Sequence, residues 1–216
     1  MEYDDWMNTQ HSSNHTRTKI LETASRLFYE QGYHLTGINQ VIAAAGVAKA
    51  SFYYHFAAKE DLCIAYLEKR HQDWFSWLRE EVEQSEEPQD RLLSLFTFLE
   101  RWLSNSDFRG CAFLNITAEF PSPDNKIRLL VVNHKDALQA YIGQLVDSLD
   151  IPNHRSNLAY LVNTIYLLFE GTICQCQMYR TTEFIQNTQK IVRQLINVSS
   201  GEEDPAVETF AIDHLK

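Results

Sequence analysis

The segment from Lys49 to His55 carries side chains that suit contact with a nucleic acid. Its outward positions hold residues that are small or that donate hydrogen bonds: Lys49, Ala50, Ser51, Tyr53, Tyr54 and His55. A short helix must present such side chains if it is to enter the major groove and pair with base edges. The segment therefore predicts a recognition helix.

Two further helices are expected directly before this segment. The first is predicted to begin near Arg17 and to end at Gly32, because Ile20, Ala24 and Leu27 share one apolar stripe. The second of these helices, a glycine-containing turn and the Lys49–His55 segment then form a helix-turn-helix motif within residues 36–55.

The second helix is short and has its own signals. Thr36 is expected to cap its start and Gly46 to end it, while Val41 and Ala45 lie on its inward face.

The run from Thr18 to Arg70 resembles the DNA-binding domain of TetR-family transcriptional repressors. The matching pieces are Ile20-Leu21-Glu22-Thr23-Ala24, Leu27-Phe28, Gly32-Tyr33, Thr36-Gly37-Ile38, the unbroken run from Ala44 to Phe56, and Lys59-Glu60-Asp61-Leu62. The run from Arg109 to Asn115, followed by Ala118 to Pro121, is similar to one branch of the same family.

The resemblance implies an all-α protein. Its N-terminal three-helix helix-turn-helix DNA-binding domain would be followed by a larger C-terminal helical domain for ligand binding and dimerisation. The implied function is a repressor that binds a palindromic operator in double-stranded DNA as a homodimer and is released by a small apolar effector. A constitutive DNA-binding dimer without an effector is the alternative.

The resemblance also implies a role for each residue at the DNA. Lys49 would donate to a base edge, Ala50 would touch a thymine methyl group, and Tyr54 would reach bases or backbone. Phosphate contacts would come from the following groups: Thr36, Ser51, Tyr53, His55, Lys59 and the backbone N–H of Gly37.

Two positions depart from the family pattern. Ala48 replaces the usual Ser, Thr or Pro, so the recognition helix lacks a side-chain cap that contributes about 1 kcal/mol. Ala50 stands where glycine is common. Both departures affect which base contacts the recognition helix makes, and neither argues against DNA binding.

The charge distribution agrees with a small basic DNA-binding region. The 216 residues carry a formal net charge of -10, which excludes a uniformly basic nucleic-acid coat. Between Arg17 and Lys59 there are five basic and two acidic residues, a net charge of +3, so the rest of the chain carries -13.

Composition and pattern divide the chain into four parts. Only seven glycines and five prolines interrupt it, which favours long helices. We expect a flexible arm over 1–16, the DNA-binding domain over 17–60, the effector and dimerisation domain over 61–198, and a polar tail over 199–216.

A helix over 154–179 is predicted to form the dimer contact, because both of its faces are weakly polar. The interface is predicted from this helix and the next one: Leu158, Leu161, Val162, Ile165, Ile191 and Leu195. The face with Tyr160, Leu167, Cys174 and Met178 is the other candidate, and both faces could instead be filled within one subunit.

An effector pocket is predicted from aromatic and apolar residues of the C-terminal helices. They are Trp102, Cys111, Phe113, Phe120, Tyr141, Tyr166, Phe169 and Met178. The alternative is that they form core. Cys111 lies beside Arg109 near a helix start, a setting typical of reactive thiols, so a redox- or electrophile-sensing repressor is a second hypothesis beside a structural cysteine.

Other functional classes find no support in the sequence. No pair of the eight histidines has the i, i+4 spacing on a carboxylate-flanked helix that zinc binding favours, and neither a phosphate-binding glycine loop nor a nucleophile elbow is present. We therefore expect no enzyme, no metal and no cofactor. The absence of a secretory signal or an apolar run of membrane length, with four cysteines, predicts a cytoplasmic protein.

Overall fold

The computed structural model describes the backbone of residues 3–149 and 154–200 and the side chains of residues 14–149 and 158–197. Within these ranges the chain forms nine α-helices and no strand, which confirms the predicted all-α fold. The helices are α1 (Tyr3–Gln31), α2 (Ile38–Ala45), α3 (Lys49–His55), α4 (Lys59–Val82), α5 (Pro88–Asn105), α6 (Ala112–Thr117), α7 (Lys126–Asp147), α8 (His154–Tyr179) and α9 (Glu183–Ser200). Residues 201–216 of the predicted tail lie outside the described residues.

Residues 17–58, here called the head, fold around one small apolar core. Phe52 of α3 is fully buried beside Val41 of α2 and Ala24 of α1. The glycines end the helices as predicted: Gly32 has φ +93° and Gly46 has φ +59°, backbone conformations that favour glycine.

The predicted start of the first helix is wrong, because α1 already begins at Tyr3 rather than near Arg17. Residues 3–16 contain neither glycine nor proline, so no helix breaker interrupts them. The prediction depended on an apolar stripe, which these polar residues lack. From Tyr3 onwards the expected arm is continuous with α1.

The predicted capping role of Thr36 is also wrong, because Gly37 occupies the N-cap position of α2. Thr36 is fully buried, and its hydroxyl donates to the carbonyl oxygen of Gly32 at 2.7 Å. The side chain therefore closes the C-terminal end of α1, and it is withdrawn from any surface that DNA could touch.

Helix α4 joins the head to the remaining helices, which we call the body (residues 59–197). It packs against α1 on one side and against α5 and α7 on the other. Pro88 occupies the first turn of α5, as predicted. Asn125 caps α7 by accepting a hydrogen bond from the Ile127 N–H at 2.8 Å.

Helix α8 lies between α7 and α9, and this decides which of its faces is available. Leu161, Val162 and Ile165 are buried inside the subunit, so the predicted dimer contact through these three residues is wrong. Leu158 and Leu195 are half-buried, and Ile191 is exposed. The surface of α8 is the opposite face, which carries Tyr160, Leu167, Gly171, Cys174 and Met178.

The eight predicted effector residues take different places in the structure. Phe113, Phe169 and Cys111 are core residues, whereas Met178 is exposed. Trp102 and Phe169 pack against Trp74, and Phe113 stacks on His134, which also contacts Trp74.

The other three members lie nearer the surface: Phe120 packs against Tyr33, Tyr141 against Phe75, and Tyr166 is half-buried. Trp102 also lines a cavity between α4 and α5. Many of these aromatic residues thus fill the core, and an effector pocket lined by the whole set stays a prediction.

Candidate nucleic-acid interface

The outward face of α3 presents four of the predicted DNA-contact residues together. Lys49, Ala50, Tyr53 and Tyr54 are exposed, and Tyr54 has 79% of its surface accessible. Their orientation follows from Phe52, whose burial fixes the opposite side of the helix in the core of the head. The face combines one cation, one methyl group and two phenols that can donate hydrogen bonds.

The turn between α2 and α3 brings a further cation to this surface. Gly46 adopts the left-handed conformation, and its N–H donates to the carbonyl oxygen of Ala43 at 3.1 Å. The Nζ of Lys19 lies 3.7 Å from the position that a Cβ on Gly46 would occupy. Sequence reasoning did not single out Lys19 as a candidate contact residue, although its charge beside the apolar stripe of α1 was a visible signal.

The starts of the two short helices lack side-chain caps. Ala48 is the N-cap residue of α3 and makes no side-chain hydrogen bond, as expected for a residue whose side chain is a methyl group. The N–H of Gly37 at the start of α2 donates to Oε1 of Gln40 at 3.4 Å. A phosphate at Gly37 would replace this long hydrogen bond.

The remaining predicted contact residues are partly enclosed. Ser51 and His55 are half-buried, and the His55 ring packs edge-on against Tyr54 with centroids 5.0 Å apart. The Nζ of Lys59 lies 4.1 Å from the ring centre of Tyr33, and burial lowers the pKa of Lys59. Burial, with a smaller effect of neighbouring acidic groups, raises the pKa of Tyr33 to about 12.

Polar contacts from the body fix the end of α1. The carboxylate of Glu119 accepts hydrogen bonds from the backbone N–H of Tyr33 at 2.9 Å and of His34 at 2.6 Å. Arg109 donates through Nε to the carbonyl oxygen of Tyr29 at 2.7 Å. These contacts couple the segment around α6 to the head, and no pattern in the sequence pointed to them.

Comparison with known proteins indicates a family for the N-terminal region. Residues 20–66 match the family model described as bacterial regulatory proteins, tetR family. This range contains α2, α3 and the exposed face of α3. The match covers residues 20–66 of the 216 and supports a TetR-family transcriptional regulator.

Similar proteins match the chain over very different lengths. The transcriptional repressor NemR of Escherichia coli strain K12 is 24% identical over 197 residues, which cover 87% of this chain and 96% of NemR. The regulator LmrA of Bacillus subtilis is 54% identical over 50 residues, which cover 23% of this chain and 27% of LmrA. The crystal structure of SCO4454, a TetR-family regulator from Streptomyces coelicolor, shares the fold with a TM-score of 0.78 at 24% identity and covers 86% of this chain and 90% of its own.

The described part of the chain offers neither a membrane span nor a metal-binding cluster. No helix there is both long and apolar enough to cross a membrane. Nor do three or more His, Cys, Asp or Glu side chains of those residues cluster in a way that could hold a metal ion.

Proposed function

We propose that this TetR-family regulator is a repressor that binds a palindromic operator as a homodimer and leaves it when a small apolar effector binds. The observation that carries the proposal is the outward face of α3, where Lys49, Ala50 and Tyr54 are exposed together on a helix anchored by Phe52. Under this proposal residues 17–60 bind DNA, residues 61–198 bind the effector and the partner subunit, and no catalytic step is involved.

The proposed DNA contacts are of two kinds: some read the base sequence, and others position the protein on the sugar-phosphate backbone. Lys49 donates to guanine O6 or N7, Ala50 meets a thymine methyl group, and Tyr54 reaches bases or nearby backbone. The positioning groups contact phosphates and set the register: Ser51, Tyr53, His55, Lys59, the Gly37 N–H and Lys19. Thr36 leaves this set because its side chain is buried.

The proposed dimer uses the exposed face of α8. Tyr160, Leu167 and Met178 are exposed large residues on a helix whose other face is filled by its own subunit. A two-fold axis brings the same face of the partner against it and gives two α3 helices for two half-sites. Repression as the mode is supported by the relative NemR, which is named a repressor.

Selection of DNA from a random pool, followed by anisotropy with the selected duplex, tests the proposal. We expect an inverted repeat. Lys49→Ala should lower affinity for it about tenfold or more, because one base contact contributes about 1–3 kcal/mol. Tyr53→Phe should weaken binding to all sequences by a similar factor, because it removes a phosphate contact.

A matched control is Lys190→Ala, which removes one positive charge from an exposed position on α9. It should leave affinity for the selected duplex unchanged. Selected sites without two-fold symmetry would contradict the dimer reading. If no ligand changes DNA affinity, the constitutive DNA-binding dimer is the correct alternative.

A second candidate is a repressor that senses electrophiles or oxidants through Cys111. The specific observation is that Nζ of Lys135 lies 3.5 Å from Sγ of Cys111 while it also binds both carboxylate oxygens of Glu170 at 2.7 Å. Burial alone would lower the pKa of Lys135, but Cys111 and Glu170 raise it overall, so the ammonium stays charged beside the sulfur. Reactive thiols occupy such cationic surroundings.

The thiol is buried, which restricts access to it. Thiol labelling of the native protein, with mass spectrometry to locate the adduct, separates the two candidates. The sensing hypothesis requires modification of Cys111 together with release of DNA, and Cys111→Ser should abolish that release. Complete protection of Cys111 in the native protein would end this hypothesis.

A further inference from the structure

A surface cavity of about 450 Å³ lies between the C-terminal half of α4 and the C-terminal half of α5. Aromatic rings from both helices line it: Trp77, Phe98 and Trp102. The cavity is separate from the head, and the proposed DNA contacts do not involve it. Its composition indicates a ligand of a particular chemical class.

One wall of the cavity is a preformed aromatic surface. Phe98 and Trp102 stack in parallel, with ring centroids 6.0 Å apart and an angle of 7° between the planes. Trp74 packs edge-on against both rings, at 5.2 Å and 5.9 Å. The rings are therefore fixed by the core and need no rearrangement to bind a ligand.

Trp77 also lines the cavity and has 44% of its surface exposed. It forms no ring pair with another described aromatic residue. A cavity lined by three aromatic rings suits a cation, because ring faces carry negative potential.

The charges at the cavity favour the same class of ligand. Glu81 is paired with Arg101 through Oε2 and Nη1 at 2.6 Å, so these two side chains compensate each other. Glu80 also lines the cavity and forms no ion pair with any described residue. The lining thus has one carboxylate in excess.

We propose that this cavity binds a monovalent organic cation, a quaternary ammonium or protonated amine with an apolar body. Trp77, Phe98 and Trp102 would surround the cationic group, and Glu80 would supply the counter-charge. The inference rests on the proposed function, because it replaces the small apolar effector proposed there with a cation that has an apolar body. Helix α4 follows the recognition helix directly and packs on α1, so a ligand between α4 and α5 can displace the head.

Calorimetric titration with benzyltrimethylammonium tests the site, with N,N-dimethylbenzamide as an uncharged probe of similar size. We expect the cation to bind about tenfold more tightly than the amide. Trp77→Ala should lower the affinity for the cation about tenfold, and Glu80→Gln should lower it about threefold to tenfold. Trp77 is exposed, so its substitution should leave the folded structure intact, as a thermal melt would verify.

Glu83→Gln is the matched control, since Glu83 lies on the same helical segment but lines a different cavity beside His71. It should bind the cation like the wild type. Equal affinity for the cation and the amide, or unchanged binding by Trp77→Ala and Glu80→Gln, would overturn the inference.

A second readout keeps the two proposals separate. The ligand-free protein is titrated with its selected duplex, and the titration is repeated with saturating benzyltrimethylammonium. Operator affinity should fall in the wild type and stay constant in Trp77→Ala. Failure to bind DNA without ligand contradicts the repressor proposal, whereas DNA binding without any cation binding contradicts the cation site alone.

Discussion

His71 on α4 and His134 on α7 meet through their Nδ1 atoms, which lie 3.1 Å apart. One Nδ1 must carry the hydrogen and the other must accept it, so at least the accepting ring is a neutral imidazole. The His134 ring also stacks on Phe113 with centroids 3.6 Å apart. Burial, together with the nearby Lys135 and His71, lowers the pKa of His134 to about 2.

The pair predicts that acid weakens the fold. An unfolded histidine takes up a proton near pH 6.5, whereas folded His134 stays neutral until near pH 2. Below about pH 6.5 the unfolded state binds more protons than the folded state. Each further drop of one pH unit should therefore lower the free energy of unfolding by about 1.4 kcal/mol, as the contribution of His134 alone. Burial, with a smaller effect of Arg79, also lowers the pKa of His71, which acts in the same direction. Urea unfolding at a series of pH values measures the slope.

His134→Gln removes this titrating group. Between about pH 5 and about pH 6.5 the free energy of unfolding should then depend less steeply on pH, by an amount equivalent to the uptake of close to one proton. His15→Gln changes an exposed histidine and should leave the slope as in the wild type. A His134→Gln variant with an unaltered slope would show that this imidazole titrates normally in the folded protein.

Glu119 is predicted to hold the head in place. Glu119→Ala leaves the N–H groups of Tyr33 and His34 without their carboxylate acceptor, so the free energy of unfolding should fall by about 1–3 kcal/mol. Hydrogen exchange at these two amides should accelerate more than exchange in the core of the body.

Glu68→Ala removes a carboxylate from an exposed position of α4 and serves as the control. It should alter neither the stability nor the exchange at Tyr33 and His34. Equal exchange rates at the two amides in Glu119→Ala and wild type would contradict the anchoring role.

Local signals explain why much of the fold was predictable. The bounds of α8, His154–Tyr179, coincide with the predicted helix, and Gly46 ends α2 as expected. Helix breakers and apolar spacing act over a few residues, so a sequence carries them openly. The same holds for the face of α3, because the burial of Phe52 places its neighbours on the surface.

Contacts between distant segments explain what was missed. Both faces of α8 are weakly polar, and only its position between α7 and α9 decides which one is buried. Glu119 reaches the turn at Tyr33 across 86 residues of chain. Thr36 looks like a helix cap by type, but the carbonyl oxygen of Gly32 satisfies its hydroxyl. Which partner a side chain meets depends on how distant segments pack together, and a local sequence pattern does not predict that packing.

Lys135 and Glu170 form an ion pair in which each side chain is only 13% and 14% exposed. Glu170→Gln should therefore lower the free energy of unfolding by about 3–5 kcal/mol, because it leaves a buried ammonium without its counter-charge. The double variant Lys135→Met with Glu170→Leu should recover most of this loss. Chemical denaturation of the three proteins measures both effects.

The exposed pair between Arg26 and Glu30 provides the comparison, since both side chains are more than half exposed. Glu30→Gln should change the free energy of unfolding by less than about 1 kcal/mol. A loss in Glu170→Gln no larger than this would mean that solvent screens the Lys135 charge.

The exposed face of α8 yields a prediction about assembly. Leu167 is 68% exposed at the middle of the face that we assign to the partner subunit. Leu167→Glu would place two carboxylates close together across a two-fold axis and leave them desolvated, so the dimer should dissociate at least about tenfold more readily. Analytical ultracentrifugation over a range of concentrations measures the dissociation constant of the dimer.

Leu129→Glu on α7 is the control, because Leu129 is also an exposed leucine but lies on another helix, and its substitution should leave the assembly unchanged. A monomeric wild type, or equal dissociation of all three proteins, would place the subunit contact elsewhere.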